Sequence, residues 1–376
     1  MNVLIMSDFN PKCSGNFVGS LLHLGEKCKK EGIVPIFMFP LNADGSEAVW
    51  IDYIRHNKNF GGYIVLPYDR SKSNDELTEY LFKIIDEYQI DLIHSHFSAM
   101  ETILVWNREI QKRVKILFHD HMDYVAEEPV MPQLKRQIKR SKRYREYGIG
   151  VISVMKRKHR GYLFTSKKWY IANAITFERN VEYSASREEV RKSLQLNDDD
   201  ILCLFLGWDI YRKGLDVAIK GVLEARKQNS HIKLGVVGFG KNPSEETLEK
   251  IKKVVGFNPI QEGIIFVDYF EDMFALHRAT DVYISASRTE AFAYGILEAI
   301  SQNVPVVVSN ISGTKWAKKY SKCISFKSEN CNDLAKAILK VAPLRFADSN
   351  YEDIVKKYDI DVWCDKVIGV YRKMMV

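Results

Sequence analysis

Short, near-continuous apolar runs alternate along this chain with amphipathic stretches long enough to make helices, and that alternation leaves few folds open. The runs "NVLIM", "VPIFMF", "YIVLPY", "DLIHSHF", "VKILFHD" and "GVISVM" come first; "ILCLFLGW", "KLGVVGFG", "IIFVDYF", "DVYISAS", "VPVVVSN" and "CISF" follow after about residue 200. A strand that is apolar at successive positions shows apolar side chains to both faces of its sheet, so both faces must be covered. Parallel sheets flanked by helices meet that requirement. Two series of such strands predict an α/β protein with two Rossmann-like, doubly wound domains. At 376 residues the chain has room for two domains of roughly 150 residues each.

The two halves begin alike. "NVLIMSDF" leads through "NPKCSG" into the helical "NFVGSLLHLGEKCKKEG", and "ILCLFLGW" leads through "DIYRKG" into "LDVAIKGVLEARKQN". Each half therefore presents a glycine-bearing loop and a helix amino terminus at the carboxyl end of its first strand, where ligands bind in such sheets. Two such edges facing one another would make a cleft. The expected domains are 1–175 and 176–358, followed by a closing helix at 359–376 that includes "DVWCDKVIGVYRKMMV", for which packing back on the first domain is one option.

Composition excludes several classes. With 46% hydrophobic and 27% charged residues the chain is neither disordered nor fibrous. The cysteines Cys13, Cys28, Cys203, Cys323, Cys331 and Cys364 are scattered, with no C-x-x-C pair and none of the density of a disulfide scaffold. The amino terminus has no basic region and reaches Asp8 too soon for a signal peptide, and no uncharged apolar run approaches the ~20 residues that span a bilayer. A cytoplasmic setting with at most peripheral membrane contact, at the inner face, is the expectation. The net charge of +7 is modest, but Lys135, Arg136, Lys139, Arg140, Lys142, Arg143, Arg145, Lys156, Arg157, Lys158 and Arg160 crowd one stretch against the single acid Glu146. Such a stretch is either a solvated helix face or a surface for an anionic partner. It carries no recognition fold or aromatic stacking motif for nucleic acid.

The most informative segment for chemistry is "EAFAYGILE", Glu290 to Glu298. "DVYISASRTE" reads as a strand and its exit loop, and "AYGILEAISQN" as the next helix. Glu290 then sits at the carboxyl edge of the sheet and Glu298 about two turns along the helix. The amides near Phe292, Ala293 and Tyr294 form a helix amino terminus suited to phosphate. Carboxylates accept hydrogen bonds from hydroxyls, so a ligand with a sugar at one end, a ribose at the other and a diphosphate between them is chemically coherent. The plainer alternative makes Glu290 a helix-start acid and Glu298 a solvated helix residue.

Several motifs in order resemble glycosyltransferase family 4, the retaining nucleotide-sugar enzymes of GT-B fold. The amino-terminal glycine loop resembles "PKCSGN" with Gly15; "D-h-h-H-x-H" resembles "DLIHSHF"; the next strand ends at His119 in "ILFHD"; and "N-G-I-D" resembles Asn173-Ala174-Ile175-Thr176. The "EKG" phosphate loop resembles Arg212-Lys213-Gly214, "G-x-G" recurs at Gly238 and Gly240, and "E-G-F-G-L-x-x-x-E" matches Glu290 to Glu298. The sequence departs from the pattern at Trp208, where many members carry an arginine for the donor diphosphate, and at Ala174 and Ala291, which replace glycines.

The resemblance implies two domains facing across a cleft and a retaining, metal-independent hexosyltransferase. Its substrates would be a nucleotide-diphosphate sugar, UDP-sugar favoured, and a glycan or lipid-linked acceptor in cell-surface polysaccharide synthesis. It assigns catalysis to His119, Glu290 and Lys213. Donor binding falls to Gly15, Arg212, Lys213, Gly238, Glu290, Phe292, Ala293, Tyr294 and Glu298. Lys213, with Arg212 offered as replacement for the arginine absent at Trp208, would neutralise the leaving diphosphate; Glu298 would bind ribose, and Glu290 and His119 the donor sugar. No D-x-D pair ends a strand, so no cofactor or metal is expected to be obligatory, and "NDDD" at 197–200 reads as a solvated turn. His94 and His96 alternate along a strand and share one face, as metal ligands or as a hydrogen-bonded structural pair. His121 and Asp123 lie beyond His119, within possible reach of the acceptor. Lys135, Arg136, Lys139, Arg140 and Arg143 are the candidate contacts to an anionic membrane. Two other readings share the architecture: a sugar-nucleotide 2-epimerase, and a catalytically inactive homologue that supports a partner transferase.

Overall fold

The computed structural model describes residues 1–8, 15–56, 62–97, 100–121, 130–155, 167–176, 185–268, 270 and 272–376, the side chains of Tyr53 and of residues 130–137 excepted. It divides into two compact units, Met1–Thr176 with Tyr358–Val376, and Phe177–Lys357.

The first unit is built on a parallel sheet of strands β1 (Asn2–Ser7), β2 (Val34–Pro40), β3 (Ile64–Tyr68), β4 (Leu92–His96), β5 (Lys115–Asp120), β6 (Gly150–Ser153) and β7 (Lys168–Tyr170). Their order is β3-β2-β1-β4-β5-β6-β7. Helices α1 (Gly15–Lys30), α2 (Val49–His56), α3 (Asn74–Glu87), α4 (Glu101–Trp106), α5 (Arg108–Arg113) and α6 (Val130–Glu146) connect the strands. Burial explains the apolar runs: every residue of β4 and of β6 is buried. α3 shows how local sequence sets an element. Ser73 and Glu76 form a reciprocal capping box at its start, and Leu77, Leu81, Ile84 and Ile85 fall on one buried face.

The second unit repeats the plan with β8 (Ile201–Leu206), β9 (Ile232–Val237), β10 (Ile264–Val267), β11 (Val282–Ser285), β12 (Val306–Ser309) and β13 (Cys323–Phe326), in the order β10-β9-β8-β11-β12-β13. Its helices are α7 (Arg187–Ser193), α8 (Leu215–Arg226), α9 (Glu245–Val255), α10 (Met273–Ala279), α11 (Tyr294–Ser301), α12 (Cys331–Val341) and α13 (Tyr351–Lys357). α8 and α12 cover one face of the sheet, where Val217, Ile219, Val222, Leu334 and Ile338 share a core with Phe205, Val236 and Ile284.

The last helix, α14 (Ile360–Met375), belongs to the first unit. The chain returns through a bridge in which the Ile175 amide donates to the Tyr358 carbonyl at 3.3 Å. α14 then buries Trp363, Cys364, Val367 and Tyr371 and pairs with α1, Asp365 lying 3.0 Å from the Lys27 ammonium. Each quoted apolar run contains a strand. β7 was not among them, because "KWY" is three residues long, partly exposed and mixes charge with aromatic rings. The "NDDD" turn also differs from its reading as solvated. Asp198 and Asp199 are exposed, but Asp200 is buried, 2.9 Å from the Lys233 ammonium, with its carbonyl accepting from Arg191 at 2.6 Å. It stands where β8 begins beside β9, so a cation on the neighbouring strand compensates its burial.

Candidate functional site

In the second unit β8 and β11 are neighbours whose connections leave the sheet in opposite directions, to β9 on one side and β12 on the other. That is the switch point at which open α/β sheets leave a crevice at their carboxyl edge. The loop after β8 carries Lys213 and the loop after β11 carries Glu290. Lys213 folds back so that its aliphatic stem lies across Gly207, and its ammonium donates to Glu290 Oε2 at 2.5 Å. Both side chains are largely shielded, with 22% and 12% exposure. The Ser287 hydroxyl donates to the same carboxylate oxygen at 3.5 Å. Two site residues separated by 77 positions thus form one partly buried ion pair.

The backbone around this pair is specific. Gly214 caps α8 with φ +73, and a Cβ there would collide with the Ala286 carbonyl. Only glycine lets the two loops approach so closely. Gly238 follows β9 directly with φ +127 and abuts the Gly207 carbonyl, which ties the β9 exit to the same place. Arg288 clamps the Lys213 loop from the β11 side. Its amide donates to the Arg212 carbonyl at 2.8 Å, and its guanidinium donates to the Tyr211 carbonyl at 2.5 Å, to Asp216 at 2.8 and 2.9 Å and to Glu329 at 2.7 Å. It also lies 4.0 Å above the Tyr211 ring. Nothing local in "SASRTE" marks Arg288 as a clamp, since its partners Tyr211, Asp216 and Glu329 are remote in sequence.

α11 begins at Tyr294, and no side chain caps it at Ala293. Its amino-terminal turn therefore points its dipole at the switch point without an internal acid. Ala291, Phe292 and Ala293 are buried, and the Phe292 ring stacks on Trp316 at 4.5 Å. Phe292 packs its side chain into the fold. Glu298 is 7% exposed, so it is not a solvated helix residue. Its Oε2 lies 3.4 Å from Nε2 of His277, a wholly buried residue of α10. His277 was not foreseen, because one histidine in "FALHRAT" has no signal until the fold sets it beside Glu298. Arg212 lies in the same loop as Lys213, where its Nε donates to Asp209 at 3.0 Å. Trp208 itself is 73% exposed.

In the first unit Gly15 opens α1, but residues 9–14 of its loop lie outside the described residues, as do Asp123 and the basic residues Lys156, Arg157, Lys158 and Arg160. His119 is buried among three other imidazoles. The register of β4 and β5 sets His96 opposite His119. His94 Nε2 lies 3.3 Å from His119 Nδ1, His94 Nδ1 lies 2.7 Å from the Tyr371 hydroxyl, and His96 Nδ1 lies 2.9 Å from His121 Nε2. Burial, reinforced by the neighbouring rings, holds His94, His96 and His119 well below the usual histidine value, and burial pushes His121 down to about 3. The four imidazoles are therefore neutral. Ring nitrogens of His94, His96 and His119 lie within 4.8 Å of one another. Both nitrogens of His94 are in hydrogen bonds, however, while Nε2 of His96, Nε2 of His119 and Nδ1 of His121 lack a partner among the described residues. Within the group of His94, His96 and His119 two nitrogens remain, short of the three or four protein ligands of a zinc-type site.

The basic helix α6 also corrects an expectation. Lys139, Lys142 and Arg145 are exposed, but Arg140 and Arg143 do not face outward. Arg140 pairs with Glu101 and donates to the Tyr144 hydroxyl at 2.7 Å; Arg143 lies 4.4 Å over the Tyr147 ring and 5.6 Å over Trp106. Helical spacing turns them onto α4 with the buried Ser141 and Tyr144. The side chains of Lys135 and Arg136 lie outside the described ones.

Residues 186–357, nearly the whole second unit, match the family of glycosyl transferases group 1. That segment is a group 1 glycosyltransferase domain. Among curated relatives, protein CapJ of Staphylococcus aureus is 30% identical over 183 residues, 47% of this chain and 44% of CapJ. The alpha-monoglucosyldiacylglycerol synthase of Streptococcus pneumoniae is 24% identical over 238 residues, 60% of this chain and 53% of the synthase. The matched regions thus span about half the length of these relatives. Among solved structures, Anabaena HepE in complex with UDP and glucose superposes with a TM-score of 0.73 at 14% identity, covering 99% of this chain and 100% of that one. At that identity the likeness is one of fold, and the fold is GT-B: a Rossmann-like unit followed by the group 1 glycosyltransferase domain.

Proposed function

We propose that this chain is a retaining glycosyltransferase that moves a hexose-type sugar from a nucleotide-diphosphate donor, a UDP-sugar by preference, to a glycan or lipid-linked acceptor in cell-surface polysaccharide or glycolipid assembly. The observation that carries the reading is the Lys213–Glu290 pair at the β8–β11 switch point, with buried Glu298 about one turn into α11. A relative named alpha-monoglucosyldiacylglycerol synthase and a solved neighbour in complex with UDP and glucose support the substrate class.

The chemistry follows from charge. As the sugar–phosphate bond breaks, negative charge grows on the diphosphate while the anomeric carbon becomes cationic. Lys213 exchanges Glu290 for the diphosphate, and the α11 amino terminus adds its dipole. Glu290, released from the ammonium, accepts from a hydroxyl of the sugar, and Glu298 accepts from ribose. His119, in the first unit, is assigned to a sugar hydroxyl through its unpartnered Nε2. The leaving phosphate takes the acceptor proton on the face it departs from, which retains configuration. Protein cations and amides meet the developing charge, so no metal is required. The setting is cytoplasmic, with an anionic inner membrane face met by the outward cations of α6; no helix among the described residues is long and apolar enough to cross a membrane.

The test is Lys213→Ala. Turnover should fall by about 10²-fold or more, because the lost cation is aimed at charge that grows only in the transition state. Circular dichroism should show a folded protein. Turnover within a few-fold of the wild type would remove Lys213 from the phosphate site.

A further inference from the structure

A hydrogen-bonded chain runs from the carboxyl-terminal helix into the strand that carries His119: Tyr371 hydroxyl to His94 Nδ1 at 2.7 Å, then His94 Nε2 to His119 Nδ1 at 3.3 Å. We propose that Tyr371 is a positioning residue that, through His94, fixes His119 as the Nε2–H tautomer and so presents a donor, not a lone pair, at its unpartnered nitrogen. A neutral imidazole carries one N–H, and the hydrogen bond at one nitrogen decides which tautomer is present. The direction of the first bond in the chain therefore sets all that follow.

That direction is set by burial. Tyr371 and His94 are each 0% exposed, and among the described residues the hydroxyl is given no partner other than His94. Were His94 to donate to the phenol oxygen, the hydroxyl proton and the lone pair at His119 Nε2 would both lack partners; in the opposite direction only the His119 N–H does, and each buried hydrogen bond left unmade costs free energy. The phenol keeps its proton, since burial raises its pKa well above the usual value. Tyr371 thus donates to Nδ1, His94 carries its proton on Nε2 and donates to His119 Nδ1, and the His119 proton is left on Nε2. Trp363 belongs to the same arrangement. Trp363, Val367 and Tyr371 lie four residues apart on the buried face of α14, and the Trp363 ring lies 6.0 Å from that of His119 at 23°. One helix face supplies both the stacking ring and the hydroxyl that orients the chain. An N–H at His119 suits the oxygen of a sugar hydroxyl. That functional consequence rests on the assignment of His119 proposed above; the tautomer does not.

The experiment is a long-range proton–nitrogen correlation spectrum of wild-type protein labelled at histidine, with the His119 signals assigned from their loss in His119→Asn. The expected pattern for His119 has the protonated-type nitrogen strongly coupled to both ring protons, the signature of Nε2–H. A protonated Nδ1 would overturn the proposal. In Tyr371→Phe the His119 signals should move toward a mixture of tautomers, and sugar transfer should slow by about tenfold or more with donor KM within about twofold, the scale of losing an outer hydrogen-bond partner. A variant with the wild-type tautomer and rate would remove Tyr371 from the role. Should His119→Asn transfer sugar at the wild-type rate, the sugar assignment of His119 falls, while the wild-type spectrum still decides the tautomer.

Discussion

Glu298 gains its meaning from where it is buried. On a solvated face its loss would cost little, but here it faces His277 in a nearly closed position. If it accepts from ribose hydroxyls, whose charge is alike in ground and transition states, it contributes uniform binding. Glu298→Ala should then raise donor KM by about 10- to 150-fold, the equivalent of the roughly 1.5–3 kcal/mol of one hydrogen bond to a charged group. A large fall in kcat with KM unchanged would take it out of that role. The imidazoles make a second prediction at this scale. Folded His94, His96, His119 and His121 stay neutral below their usual value of 6.5, while the same groups in the unfolded chain take up protons there. The unfolded state binds the extra protons, so stability is complete above about pH 6.5 and is lost as pH falls toward the depressed folded values, by up to about 1.4 kcal/mol per pH unit for each imidazole. Thermal unfolding between pH 7.5 and 5 should show the Tm falling, with a shallower slope in His96→Gln. Equal slopes would show that His96 titrates alike in both states. The places of Lys213, Glu290 and Glu298 in the fold were legible, because one loop or helix start sets each of them. Their partners were not: Arg288 and His277 act through neighbours that only the fold brings near.

For elements, periodicity was a reliable guide where burial on both sides left no alternative. The apolar runs are strands because only a sheet covered on both faces satisfies them, whereas "KWY" makes β7 at an edge by pairing with β6, which no run announces. The placement of α14 was equally hidden, since its apolar face at Trp363, Val367 and Tyr371 would suit either unit until the Ile175–Tyr358 bridge turns the chain back. Composition misjudged α6 for a related reason. It counts cations without their direction, and Arg140 and Arg143 are turned onto Glu101, Trp106 and Tyr147. The two sets should therefore separate. Replacing Lys139, Lys142 and Arg145 with glutamine should weaken flotation with vesicles of anionic lipid, each cation near the surface contributing up to about 1 kcal/mol, and leave the Tm unchanged. Replacing Arg140 should instead lower the Tm, because it leaves Glu101 half-buried without its cation. Equal flotation of wild-type protein with anionic and neutral vesicles at low salt would end the membrane reading.

The whole molecule comprises two Rossmann-like units, and the proposed donor chemistry falls to the second. The group 1 match over residues 186–357 and the GT-B fold fit that assignment, and the Lys213–Glu290 pair gives it a physical centre. Its most direct test is nucleotide release from a panel of UDP-, GDP- and other nucleotide sugars, with acceptor absent and EDTA present. The account predicts that the wild type releases nucleoside diphosphate from a UDP-sugar, and that Lys213→Ala does so about 10²-fold more slowly. No release from any donor, or recovery of an epimerised nucleotide sugar in place of hydrolysis, would contradict it.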